Sequence, residues 1–194
     1  MNLPHIYLAS KSPRRRQMLE MVGIKFTLLE IDVDEANHFA NNPREYVINL
    51  SGKKAEEAAK TIAEGIIATA DTIVYLDGKI LNKPKDTDDA RRMLRLLSGR
   101  THQVYTGFTL LKMPERKILH DCEVTDVTFR KLDEGEIEEY VQSGAPLDKA
   151  GAYGIQDDLS ALFVEKINGD FYNVVGLPLP KFYLALKQFA DVSP

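Results

Sequence analysis

Two dipeptides, Asp77-Gly78 and Asn168-Gly169, each stand between short runs rich in β-branched, aromatic and aliphatic residues. Such pairs supply the positive φ angles of a tight hairpin turn, so some neighbouring strands must run antiparallel. The same chain carries helix-opening signals: Ser12-Pro13, Asn42-Pro43-Arg44-Glu45, and Asp133 three residues before Glu136. Each places a side-chain acceptor before free amides, with Pro at the first helical position in two of them. Helices interleaved with hairpins rule out a purely parallel, doubly wound sheet. They predict an α/β fold with a mixed sheet.

Periodicity places strands at 6–9, 26–31, 66–76, 79–81, 103–111, 117–129, 162–167 and 171–175, and helices at 13–22, 42–64, 87–97, 133–143 and 180–190. No Pro/Gly/Ser-rich linker divides the chain, which predicts a single domain over residues 1–194. A hydrophobic content of 44% is enough for one core of that size, and no apolar run approaches the ~20 residues of a membrane span. The N-terminus lacks a basic stretch followed by an apolar one, as a secretory leader would have. Cys122 is the only cysteine, so neither an internal disulfide nor a cysteine zinc site can form, and a reducing cytoplasm is expected. The net charge of −4 argues against nucleic acid as a partner. Any binding of phosphate must come from a local cationic cluster.

That cluster is Ser10-Lys11-Ser12-Pro13-Arg14-Arg15-Arg16, where a strand feeds a short loop and the loop opens a helix. Acidic residues normally occupy a first turn, and each arginine there opposes the helix dipole by ~0.3–1 kcal/mol. Bound phosphate would reverse that cost, and guanidinium groups grip its oxygens in pairs. The alternative is three arginines facing water. The segment is not a P-loop, since it lacks the glycines and the Gly-Lys-Ser/Thr ending.

Four further sites carry chemistry. On a helical projection Lys54 falls in the middle of the apolar face formed by Val47, Leu50, Ser51, Ala55, Ala58 and Ile62. A lysine there needs a partner unless it snorkels to the edge. Asp71 interrupts an apolar strand, where a carboxylate is paired, metal-bound or a base, unless the strand is an edge facing water. Asp34-Glu35 follows the second strand and offers inexpensive Mg²⁺ ligands. The small residues of 150–154 let backbone approach a ligand, and Gln156 after them has an amide that can read a base edge. His5, His38, His102 and His120 show no ligand spacing and receive no role. Ser10 and Ser12 have no histidine nearby in sequence and do not read as acyl nucleophiles.

Taken in order, Ser10-Lys11-Ser12-Pro13-Arg14-Arg15, Val33-Asp34-Glu35, Lys54-Ala55, Ala70-Asp71-Thr72, Lys83-Pro84, the 150–156 stretch and Val175-Gly176-Leu177-Pro178 resemble the signatures of the Maf family of nucleoside triphosphate pyrophosphatases. The resemblance runs from residue 6 to about residue 185. It implies an elongated two-lobed fold like that of the inosine triphosphate pyrophosphatases (the Maf/Ham1 fold), with a central cleft, a divalent cation (Mg²⁺, with Mn²⁺ or Co²⁺ as substitutes) and a homodimer. By the same resemblance Asp71 is the general base, Lys54 and Lys83 contact phosphates, and Ser10, Ser12 and Arg15 bind substrate. Arg14, Thr72 and Gln156 set base preference in the manner of the subgroup acting on dTTP and UTP, while Glu35 and Asp71 hold the metal. One departure is Lys53, where the family has an acidic residue; it projects off the buried face. Two competing functions are an inosine/xanthosine triphosphate pyrophosphatase and a non-catalytic nucleotide-binding regulator of septum formation.

Overall fold

A computed structural model describes residues 5–33, 42–156 and 159–190. In chain order it contains β1 (Ile6–Ala9), α1 (Pro13–Met21), β2 (Phe26–Leu29), α2 (Pro43–Ala59), β3 (Gly65–Leu76), β4 (Lys79–Leu81), α3 (Thr87–Leu97), β5 (Thr101–Met113), β6 (Lys117–Phe129), α4 (Glu134–Gln142), β7 (Val164–Asn168), α5 (Phe171–Val175) and α6 (Leu179–Ala190). Among the described residues the sheet is seven-stranded, with order β2-β1-β3-β5-β6-β7 and β4 added on β3. It is mixed, as the turn signals demand: β1 is parallel to both β2 and β3, while β3–β4 and β6–β7 are antiparallel.

The chain divides into two compact units, one of residues 1–71, 106–123 and 176–194, the other of 72–105 and 124–175. In the first, the parallel trio β2-β1-β3 is connected by α1 and α2, the crossover elements that parallel strands require. Ala9, Ala55, Ala58, Ile67 and Leu111 form one buried cluster, and Phe108 meets Phe182 of α6 edge to face at 5.5 Å. Small residues bring α2 down onto the sheet. A Cβ on Gly107 would lie 2.7 Å from the Val47 carbonyl carbon and 2.9 Å from the Ile48 nitrogen. In the second unit α3 and α4 lie in one core with Val74, Leu76, Val104, Val127, Phe129, Tyr140 and Phe163. Asp77 and Gly78, both at positive φ, turn β3 into β4.

The helix starts follow local chemistry. Asn42 accepts from the amides of Arg44 and Glu45, and Asp133 with Glu136 forms a reciprocal capping box. Three expectations change. Helix α2 stops at Ala59 rather than running on to 64, because the Thr61 hydroxyl donates to the Ala58 carbonyl while the turn tightens. Residues 171–175 are helical, not the second arm of a hairpin. Asp170 accepts from the Tyr172 amide, and its own backbone N–H and carbonyl are both bound by the Thr125 hydroxyl, which overrides the strand propensity of Phe-Tyr-Asn-Val-Val. Ser12 occupies the N-cap of α1, but its hydroxyl makes no capping bond.

Candidate active site

Strand β1 ends where the arginine-rich loop begins. Leu8 pairs with Ala68 in parallel register, and carrying that register forward sets Ala9 level with Thr69. The loop therefore leaves the sheet at the carboxyl edge of β1, beside the stretch of β3 that reaches Asp71. In open α/β sheets ligands bind at that edge. Helix α1 has no acidic residue in its first turn, and the Ser12 side chain makes no capping bond. The N-terminus thus keeps its partial positive charge for an anion.

The arginines differ. Arg15 is buried; its Nε donates to the Gly176 carbonyl at 2.7 Å and its Nη1 to Ser10 Oγ at 3.3 Å. Ser10 Oγ also accepts from the Ser12 amide at 3.2 Å. One guanidinium thus ties the loop to a residue 161 positions away in sequence, at a glycine whose φ of 129° no side chain favours. Arg14 is half-buried and Arg16 exposed.

Lys54 and Asp71 meet. Lys54 Nζ donates to Asp71 Oδ1 at 2.8 Å, and only 13% and 12% of the two side chains reach solvent. The helical period places Lys54 one turn beyond Ser51, and the strand period places Asp71 on the same face as Thr69, whose hydroxyl donates to the Ser51 carbonyl at 2.7 Å. Two side-chain bonds from β3 thus grip one turn of α2. Both alternatives from the sequence, a snorkelling lysine and an edge aspartate in water, are excluded by this pairing.

Thr72 (half-buried, in β3), Lys83 (exposed, after β4) and Gln156 (exposed, after the 150–152 turn) belong to the second unit. In that unit Gly151 lies against Val74, and a Cβ there would come within 2.7 Å of its Cγ2. The Gly151 amide donates to the Asn82 carbonyl. Gly151 thus serves close packing on β3. Glu35 and its neighbour Asp34 lie outside the described residues. Among the described residues no cluster of three or more His, Cys, Asp or Glu is placed to hold a metal. Cys122 is fully buried, and burial pushes its thiol up to about 11. Among the described residues no helix is long and apolar enough to cross a membrane.

The polar layer behind Lys54 had no sequence signal strong enough to single it out. Ser51, Thr69 and Thr109 are buried and mutually connected, and His120 joins them from β6. Their one trace in the sequence is a serine and a lysine within an otherwise apolar helix face.

A mixed α/β sheet with a cationic helix N-terminus and a lysine–carboxylate pair at the carboxyl edge of its parallel strands defines a class: enzymes with a site for a phosphorylated ligand. The Staphylococcus aureus Ham1 protein shares the fold, with TM-score 0.50 and 13% identity over 82% of this chain and 80% of that one. The family model described as Maf-like protein matches residues 5–189, and the chain belongs to the Maf family. It is 47% identical to the dTTP/UTP pyrophosphatase of Carboxydothermus hydrogenoformans, over 95% of this chain and 98% of that one. It is 48% identical to that of Caldanaerobacter subterraneus subsp. tengcongensis, over 94% and 88%. Against the dTTP/UTP pyrophosphatase of Clostridium perfringens strain 13 the figure is 46%, over 95% and 96%.

Proposed function

We propose that this chain is a dTTP/UTP pyrophosphatase, hydrolysing the triphosphate between the α and β phosphates to the nucleoside monophosphate and pyrophosphate. The observation that carries this reading is the buried Lys54–Asp71 pair, in a chain about half identical to dTTP/UTP pyrophosphatases over nearly all its length. Asp71 activates water as the general base. Lys54 and Lys83 offset charge on the departing pyrophosphate. Ser10, Ser12, Arg15 and the amides of α1 cradle phosphate, while Arg14, Thr72 and Gln156 read the base.

A divalent cation fits this donor set. Mg²⁺ is commonly held by one or two carboxylates plus substrate phosphates and water, so it needs no three-residue protein cage. Asp71, with Glu35, would hold it, and when bound it supplies charge neutralisation at the phosphate oxygens. Mg²⁺ is the cation proposed, with Mn²⁺ or Co²⁺ as substitutes. The working form is a cytoplasmic homodimer acting on a small nucleotide rather than on nucleic acid.

The test is a panel of nucleoside triphosphates with Mg²⁺, products identified by chromatography. Pyrophosphate plus monophosphate, formed fastest from dTTP and UTP, is expected. Faster turnover of ITP or XTP would overturn the base assignment, release of orthophosphate would overturn the cleavage site, and binding without turnover would favour the septum-regulator reading.

A further inference from the structure

The polar layer behind Lys54 has a definite direction. Ser51 Oγ donates to the Ile48 carbonyl at 2.9 Å. A hydroxyl has one proton, so toward Thr109 Oγ1, 2.9 Å away, Ser51 can only accept. Thr109 therefore spends its own proton on Ser51. Toward His120 Nδ1, at 2.8 Å, Thr109 in turn can only accept. His120 must carry its proton on Nδ1, which leaves Nε2 as the ring's lone-pair nitrogen. The chain runs His120 Nδ1–H to Thr109, Thr109 to Ser51, and Ser51 to the Ile48 carbonyl of α2. It links an exposed residue of β6 to buried groups on β5 and α2.

The imidazole also packs on the helix itself. A Cβ built on Gly52 would stand 3.2 Å from His120 Cε1, so the ring lies against the backbone one residue after Ser51. Lys54 follows two residues later, one turn from Ser51 on the same face. From the β3 side the same turn is held by Thr69 on the Ser51 carbonyl. The turn that carries Lys54 is thus gripped from two sides, and one grip ends at the His120 imidazole of β6.

We propose that His120 is a positioning residue for Lys54, acting through the Thr109 and Ser51 hydroxyls by donating from Nδ1. This rests on Lys54 being part of the reaction machinery. A small displacement of a phosphate-holding group costs rate out of proportion to its size. His120→Leu removes the donor and should lower kcat about tenfold with little change in KM. Thr109→Val keeps shape, breaks the chain one link further in, and should match it. His120→Asn places an amide N–H where Nδ1–H stands and should recover turnover to within about twofold of the parent.

Two readouts decide. Long-range ¹H–¹⁵N NMR on the full-length protein should show the Nδ1–H tautomer for His120; the Nε2–H tautomer overturns the proposal whatever the enzyme acts on. Steady-state assays of the three variants should split Leu and Val from Asn at matched melting temperatures. Equal activity in all three, whether parental or impaired, overturns it too. If instead Lys54→Ala itself leaves turnover unchanged while the tautomer is as expected, the fault lies in the functional reading, not in the chain of hydrogen bonds.

Discussion

Lys54 Nζ and Asp71 Oδ1 are 2.8 Å apart, so the group proposed to hold phosphate and the group proposed to activate water are each other's partner. If Lys54 holds phosphate as proposed, an incoming polyanion would compete for the ammonium and free the carboxylate oxygen it occupies. Each half of the pair then has a separable consequence.

Asp71→Asn keeps shape and a hydrogen-bonding oxygen but removes the base. General-base catalysis contributes about 10²–10⁴-fold, so turnover should fall at least a hundredfold while nucleotide affinity, read by calorimetry, stays within a few-fold. Near-parental release of pyrophosphate from this variant would remove Asp71 from the mechanism.

Lys54→Ala strips a nearly buried carboxylate of its counter-charge. Breaking such a pair costs about 3–5 kcal/mol when the survivor cannot reach water; here both side chains keep a little exposure, so the lower end is expected, measured by urea unfolding. Transition-state stabilisation should fall by at least ~2 kcal/mol in kcat/KM. The double variant Lys54→Met with Asp71→Asn should regain most of the stability and none of the turnover. Turnover that recovers together with stability would show that Lys54 serves the fold alone.

Gly107 is where α2 presses on β5, and every nearest neighbour of an added Cβ is backbone: Val47 carbon at 2.7 Å, Val47 oxygen at 2.8 Å, Ile48 nitrogen at 2.9 Å. No side chain can swing aside. Gly107→Ala should therefore destabilise by about 1–3 kcal/mol. It should also lower kcat, because the displaced segment lies at the Ile48 turn from which Lys54 is hung. An unchanged melting temperature would mean that α2 shifts freely on the sheet and that its position is not what holds Lys54.

How much of this was legible in the sequence follows from how local each signal is. The mixed sheet could be read because Asp77-Gly78 encodes its turn within two residues, and helix starts at Asn42 and Asp133 because a cap needs only its own first turn. Lys54 and Asp71 stood out as polar residues breaking a helical and a strand period. That they face each other was not encoded in either pattern. The bond of Arg15 to the Gly176 carbonyl spans 161 positions and leaves no local trace in the sequence. Residues 171–175 read as a strand because the Thr125 contacts that fix Asp170 come from a distant strand. His120 received no role for the same reason: its partners Thr109 and Ser51 are assembled only by the fold.

His102 makes the stability of the second unit depend on pH. Its ring is almost wholly buried, between Phe129 and Tyr153 with centroids at 5.1 and 5.3 Å, and its Nε2 is 2.7 Å from the Tyr153 hydroxyl. Burial pushes its pKa down from 6.5 to about 3. Below pH 6.5 the unfolded chain takes up a proton that the native ring refuses, so this stabilisation is complete above 6.5 and drains away as pH falls toward 3. The slope is at most about 1.4 kcal/mol per pH unit. The carboxyl of Glu136, held down to about 2 by its hydrogen bond with Arg130, and that of Glu138, held down to about 2 by Arg91, lose their contribution only as pH drops below their ordinary 4.5. The interval from 6.5 to 5 therefore belongs mainly to histidine. His120, whose pKa burial also lowers, is common to parent and variant and cancels in their difference. Urea unfolding at pH 7.5, 6 and 5 should show the parent losing stability faster than His102→Leu, which starts lower but declines less. Parallel slopes would mean that the native protein protonates His102 as readily as the unfolded chain does.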